Sequence, residues 1–250
     1  GGVALLPVTL RNVEASLQVK GFQAGQVSDL KPANDAQIIA WFQKVQTYDA
    51  ASVARKATVA DLKAPAPKSI DMSDRKEVQT RMVSLLQGQP GVKTLYLPQP
   101  AGNDPRPFEV VGIPLDAGFH VVEIASQKLG ASLLDARHGA GRTMYVRTSA
   151  LVTNLAVHFK LGRENALAWV TTLDKGTPVA GAVIRVSDCR GREVGNGKTD
   201  AAGIAHLAGI SPQAPVCQTD NSYSQAYFVS ARAPQPSGDG KGVVEDLAFT

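Results

Sequence analysis

The chain is poor in what active sites are usually built from. Its 250 residues include two cysteines, Cys189 and Cys217, and neither is part of a CxxC pair. Its four histidines, His120, His138, His158 and His206, form no HxH or HxxxH pair, so no metal-ligand spacing is written along the sequence. A GxSxG nucleophile elbow is absent, and the carboxylates are thinly spread with no paired acid–base motif. Aromatic residues make up 6% of the chain, and no basic stripe accompanies them. The charge is even: 15 basic against 13 acidic residues up to residue 140 and 11 against 9 after it, a balance of +2 on each side. A nucleic-acid groove needs clustered Lys/Arg, often with stacking aromatics, so nucleic acid is not an expected partner. No apolar run approaches the roughly 20 residues that span a bilayer, so direct membrane insertion is not expected either. These absences point to a non-enzymatic chain without cofactor or metal.

What is present is turn and strand. Gly (23) and Pro (15) suit many short strands, and 44% hydrophobic residues allow a sizeable core. Residues 8–22 alternate with a phase slip at Asn12, which predicts a bulge or bend in a strand pair. Ile38, Trp41, Phe42 and Val45 then fall at helical spacing after Pro32 and a cap at Asn34. Val78, Met82, Leu85 and Leu86 repeat that spacing between Asp74 and Gly88. The segment 55–72 between them, with Pro65 and Pro67, reads as loop. Residues 30–90 are therefore expected to be a mainly helical insertion, with Trp41 and Phe42 packed on the sheet. Strand patterns resume with VKTLYLP, FEVVGIPL and FHVVEIAS, the last two joined through Asp116-Ala-Gly118 as a hairpin.

The polar, short RHGAG stretch (137–141) reads as the boundary between a unit at 1–140 and one at 141–250. From Thr143 the chain is nearly all strand, about seven strands at short intervals, which argues for an antiparallel β-sandwich. The expected fold is mostly β, with two tandem sandwiches. Strand patterns reach almost to both ends, so the chain reads as a piece of something longer.

GNGKT (195–199) invites a phosphate-loop reading. The position that needs the first Gly is Arg192, and no helix pattern follows to aim N–H groups at phosphate, so it reads as strand or hairpin. His120 and His158 lie in strand patterns and are expected to be half-buried or on the surface. Cys189 and Cys217, 28 positions apart in one sandwich, are expected to form a disulfide if the compartment is oxidising, with two reduced buried thiols as the alternative.

The second unit resembles a macroglobulin (MG) domain of the bacterial α2-macroglobulin family. The residues that carry this are NLAVH (154–158), AWVTTLD (168–174), GTPVAGA (176–182), the strand 183–188, GRE (191–193), KTDAAG (198–203) and GVVEDLAF (242–249). Their order is most like the third MG domain, and residues 1–140 would then resemble the second. The resemblance implies a non-catalytic scaffold segment of a periplasmic protease trap. It further implies a parent held on the inner membrane as a lipoprotein, with neighbouring MG domains, target proteases and other periplasmic proteins as partners. Such traps use a bait segment and in some members a Cys-x-x-Gln thioester. Here Cys189 is followed three positions on by Arg192 and Cys217 by Asp220, so the chain has no thioester motif. The competing expectation is an Ig-like binding module of a surface adhesin or a secretion-associated protein. The insertion at 30–90 is the expected contact element, because a helix added to a sandwich has to cover something.

Overall fold

A computed structural model describes residues 4–11, 25–54, 62–63, 70–72, 75–97, 108–127, 129–130, 142–218, 223–236 and 241–250. The phase slip at Asn12, the RHGAG stretch, His138 and most of the 55–72 loop lie outside the described residues. The described part is mostly β, and every strand pairing in it is antiparallel.

The elements run in the order β1 (Ala4–Arg11), β2 (Gln26–Leu30), α1 (Asp35–Thr47), β3 (Ser52–Ala54), β4 (Ile70–Met72), β5 (Arg75–Gln79), β6 (Lys93–Tyr96), β7 (Phe108–Leu115), β8 (Gly118–Ser126) and β9 (Met144–Val152). Then follow β10 (Leu155–Leu161), β11 (Asn165–Thr172), β12 (Val183–Ser187), β13 (Glu193–Lys198), β14 (Ile204–Ala208), β15 (Cys217–Gln218), β16 (Tyr223–Ser224), β17 (Phe228–Pro236) and β18 (Val243–Phe249).

The second domain is a sandwich of β10-β11-β14 on β13-β12-β17-β18, with β15-β16 as a side ribbon. Alternation sends Ala166, Ala168 and Val170 of one sheet and Ile184, Val186, Val229, Ala231 and Ala233 of the other into one core. The KTDAAG stretch is a structural device. Thr199 Oγ1 donates to Val179 O at 2.6 Å and accepts from Ala182 N at 2.8 Å, while Asp200 Oδ1 accepts from Ala202 N and Ile204 N, both at 2.9 Å. Gly203 has φ +74°, and a Cβ there would stand 2.5 Å from Val170 O. The motif therefore demands Gly for backbone reasons. GNGK lies in β13 with Thr199 just past its end, and the next element is the strand β14 rather than a helix, as the missing glycine implied.

Among the described residues the first domain has three sheets: β6-β2-β8-β9, β1-β7 and β3-β5-β4. The strand β8 is buried on both faces. Val122 packs toward β1-β7 with Val27, Ile113 and Leu115, while Phe119 and Val121 pack toward α1 with Leu30 and Ile38. Such a strand reads as a continuous apolar run.

Four sequence expectations are corrected. First, residues 75–79, expected to be helical, form β5, followed by a 3₁₀ turn over Thr80–Met82. The apolar spacing was real, since Val78, Leu85 and Leu86 are buried, but tertiary partners take the backbone groups a helix would have paired. Glu123 accepts from Leu85 N at 2.8 Å, and Arg147 donates to Thr80 O and Val83 O at 3.0 and 2.6 Å. Among the described residues the insertion is thus one α-helix, a small sheet and a 3₁₀ turn. Second, β7 and β8 are not a hairpin: β7 pairs with β1 and β8 with β2 and β9, so Asp116–Ala117 carries the chain from one sheet to the other. Third, the stretch 143–161 is not one strand: β9 pairs with β8 along its whole length while β10 pairs with β11, so the chain passes between sheets at Thr153–Asn154. The pattern 143–161 looks like one strand because both halves alternate; the break is made by Asn154, whose N–H goes to Asp246 Oδ2 at 2.8 Å. Fourth, Phe42 is 40% exposed, whereas its neighbour Trp41 packs between two apolar clusters. The apolar stripe of α1 is narrower than the sequence suggested.

Candidate functional site

Among the described residues no three His, Cys, Asp or Glu side chains gather in a way that would hold a metal ion. The histidines are separated. His120 is buried, contrary to its expected half-exposure, with Nδ1 2.9 Å from Asp29 Oδ1 and Nε2 2.8 Å from Asp116 O. Both ring nitrogens are engaged, and the side chain ties β2 to the start of β8. His158 is exposed on β10, 5.7 Å between ring centroids from Trp169, and His206 is exposed on β14. Nothing in these places resembles a nucleophile with its base.

The concentrated chemistry lies at two buried polar clusters. At the first, Glu123 on β8 accepts from Ser84 Oγ (2.5 Å), Leu85 N and Leu86 N. Arg147 on β9 lies beside it, Nε to Oε2 3.5 Å, and donates to Tyr48 O, Thr80 O and Val83 O. Burial pulls the guanidinium below its usual pKa and Glu123 pulls it back. Burial, then Glu123, raises the Tyr145 phenol nearby. This cluster fastens the insertion to the main sheet.

The second cluster joins the domains. The helix α1 starts at Asn34, whose Oδ1 accepts from Gln37 N at 3.0 Å, and Gln37 Oε1 accepts in turn from Ala33 N at 2.8 Å. Asp35, in the first turn, suits the positive end of the helix. Its carboxylate leaves the first domain altogether. Oδ2 accepts from Ser230 Oγ at 2.6 Å, and Oδ1 pairs with Arg232 Nη2, both on β17. Arg232 Nη1 also donates to Ser230 Oγ at 3.1 Å, which closes a triangle. Further along the helix, Gln43 Nε2 donates to Cys189 O at 2.9 Å. Between them, Ile38, Trp41 and Val45 join Phe119 of β8 and Phe228, Leu247 and Phe249 of the second domain in one apolar cluster.

Cys189 and Cys217 are disulfide-bonded, with Cα atoms 6.0 Å apart. The bond ties β15 to the β12–β13 turn that α1 touches. That turn is held by Asp188, whose Oδ1 accepts from Arg190 N at 2.9 Å and Arg192 N at 3.0 Å, while Oδ2 pairs with Arg192 Nε at 3.1 Å. Burial opposes ionisation of Asp188, but the two backbone N–H groups and the guanidinium outweigh it and hold the carboxyl below its usual range.

Sequence reasoning found the cysteines and the helix but not Asp35, Ser230, Arg232, Glu123 or Arg147. The signal for two of them was present: Glu123 interrupts the run FHVVEIAS and Arg232 interrupts FVSARA. A charge inside an apolar strand is rarely buried unless paired.

Residues 152–250 match the family model described as the bacterial alpha-2-macroglobulin MG3 domain. A search of curated proteins finds no match. Two solved fragments of native alpha-2-macroglobulin from Escherichia coli are similar. One spans domains NIE-MG1, with TM-score 0.44 and 14% identity over 99% of this chain and 89% of that one. The other spans MG0-NIE-MG1, with TM-score 0.44 and 13% identity over 99% of this chain and 58% of that one. The start of the family match at residue 152 falls beside the junction at Thr153–Asn154, so it is the second domain of this chain that is similar to the bacterial alpha-2-macroglobulin MG3 domain.

Proposed function

We propose that this chain is a scaffold segment of a bacterial α2-macroglobulin-type protease trap that protects the periplasm. The carrying observation is the MG3 match over 152–250, where the matched motifs serve turns and core rather than chemistry. The first domain, in this reading, is the MG domain that precedes it. The disulfide supports an oxidising compartment such as the periplasm, since such bonds persist where thiols are not kept reduced. Both cysteines are consumed in that bond and neither has Gln three positions on, so the thioester chemistry and the bait, where the parent has them, lie elsewhere. The segment positions neighbouring MG domains and meets proteases through the whole parent. Mixed at equimolar ratio with serine, cysteine and metallo-endopeptidases, the 250-residue chain is expected to leave cleavage of a large protein substrate unchanged, while the parent slows it. Inhibition by the chain alone would overturn the scaffold assignment, and a parent without effect on any protease would overturn the trap.

A further inference from the structure

Two domains joined by a short connector ordinarily move relative to one another unless their interface is extensive and apolar. Here the connector is two residues, Thr153 and Asn154, and it is pinned. Asn154 N donates to the buried Asp246 carboxylate at 2.8 Å, its carbonyl accepts from Leu173 N at 2.6 Å, and its Oδ1 accepts from Asp174 N at 3.1 Å. The helix α1 supplies the remaining fixings. Its Asp35 end holds β17, and Gln43, about 12 Å further along the axis at 1.5 Å per residue, holds the β12–β13 turn. Gly191 of that turn lies against Ala36, so close that a Cβ at 191 would stand 2.8 Å from Ala36 Cα.

We infer that α1 is a wedge that locks the two domains into one rigid body and sets the angle between them. The division of labour follows from the chemistry. The cluster of Phe119, Phe228 and Phe249, with centroid distances of 5.7 Å (119–249) and 4.9 Å (228–249), adheres but is weakly directional. Apolar side chains in place of Asp35, Ser230 and Arg232 would bind as well, because a buried ion pair spends much of its attraction on desolvation. What the polar triangle adds is registry: its hydrogen bonds close in one orientation only, and a slide or rotation leaves a buried carboxylate unpaired. A displacement imposed on one domain is therefore passed undiminished to the other. In a longer chain of domains this pair is one link, and bending occurs outside it. The inference rests on the contacts within this chain and stands whether or not the parent is a protease trap.

The test uses the full chain with its disulfide intact and nitroxide labels at Thr94→Cys and Lys160→Cys, two exposed positions on β6 and β10. The unaltered interface is expected to give a single narrow distance distribution by pulsed dipolar spectroscopy. Asp35→Ala and Arg232→Met are each expected to broaden it roughly twofold, and the pair together no more than either alone, as coupled partners require. Asn34 keeps its cap in the first variant, so helix content by circular dichroism stays the same. Gln43→Ala, which keeps a strong helix former and touches no core, is expected to broaden the distribution less than Asp35→Ala. A broad or bimodal distribution in the unaltered chain, or widths unmoved by all three variants, would overturn the wedge.

Discussion

The second domain buries one core, and small side chains fill it: Ala166, Ala168, Ala182, Ala205, Ala231, Ala233 and Ala248 lie among Val, Ile and Leu. The first domain buries several separate clusters, and Trp41 and Val45 belong to two of them at once. Its segments are then joined by polar groups far apart in sequence, Glu123 and Arg147 to the 80–86 turn and His120 to Asp29 on the neighbouring strand. A single core of small residues is held by pattern, because every inward position is served by the same alternation. A domain with several cores needs polar ties at particular points, and each tie fails if either partner is lost. The first domain should therefore be the more fragile to single substitutions, and the second should be sensitive mainly where its backbone is constrained.

The sharpest way to break that comparison is Arg147→Met. It strips the cation from a buried carboxylate and the donors from three buried carbonyls, of Tyr48, Thr80 and Val83. Removing one partner of a buried pair typically costs about 3–5 kcal/mol. Trp41 lies on α1 at the domain interface and Trp169 on β11 within the second domain, so urea unfolding followed in Trp169→Phe and Trp41→Phe backgrounds compares α1 and its surroundings with the second sandwich. The midpoint read by Trp41 is expected to fall well below that read by Trp169. Equal shifts at both tryptophans would mean that the domains form one cooperative unit and that the contrast between them does not extend to stability.

The second domain offers the next effect. The Cys189–Cys217 bond closes a loop of 28 residues that includes the strands β13 and β14, one in each sheet, and the Pro212–Pro215 excursion. Replacing both cysteines by serine is expected to lower stability by roughly 2–4 kcal/mol, chiefly by freeing the unfolded chain. The core residues of the sandwich do not depend on the bond, so the variant is expected to stay folded at room temperature, with a lower midpoint on Trp169. A protein that fails to fold without the bond would show that the second domain, too, relies on a point tie.

Much of this contrast was legible and some was not, for a physical reason. Alternation revealed β7, β8 and the strands of the second sandwich, and Asn34 with Pro32 announced α1, because those signals are local. The KTDAAG turn was legible since Thr, Asp and Gly act on backbone groups within a few residues. The strand β5 was misread as helix because Val78, Leu85 and Leu86 have helical spacing, while the partner that overrides it, Glu123, is 37–45 positions away. The Asp35–Arg232 pair spans 197 positions and left no local trace beyond a charge in an apolar strand. The junction at Thr153–Asn154 was hidden likewise, since its determinant is Asp246.

The smallest expected effect concerns the turn that the second domain offers to α1. Asp188 is buried, and its carboxyl pKa is held down by the backbone N–H groups of Arg192 and Arg190 and by the Arg192 guanidinium, against the opposing effect of burial. A depressed pKa means that the folded state binds fewer protons than the unfolded chain just below the ordinary aspartate value of about 3.9. Its stabilisation is therefore present in full above that value and disappears as the pH falls through the lowered one. Asp188→Asn keeps an oxygen for the N–H groups and loses the charge, so it is expected to cost about 1 kcal/mol at neutral pH. That difference between the parent and Asp188→Asn proteins, read from urea midpoints on Trp169, is expected to shrink steadily below about pH 4. A difference that persists unchanged in acid would assign the role of Asp188 to hydrogen-bond geometry alone. The turn would then be as insensitive to charge as the alanine-filled core behind it.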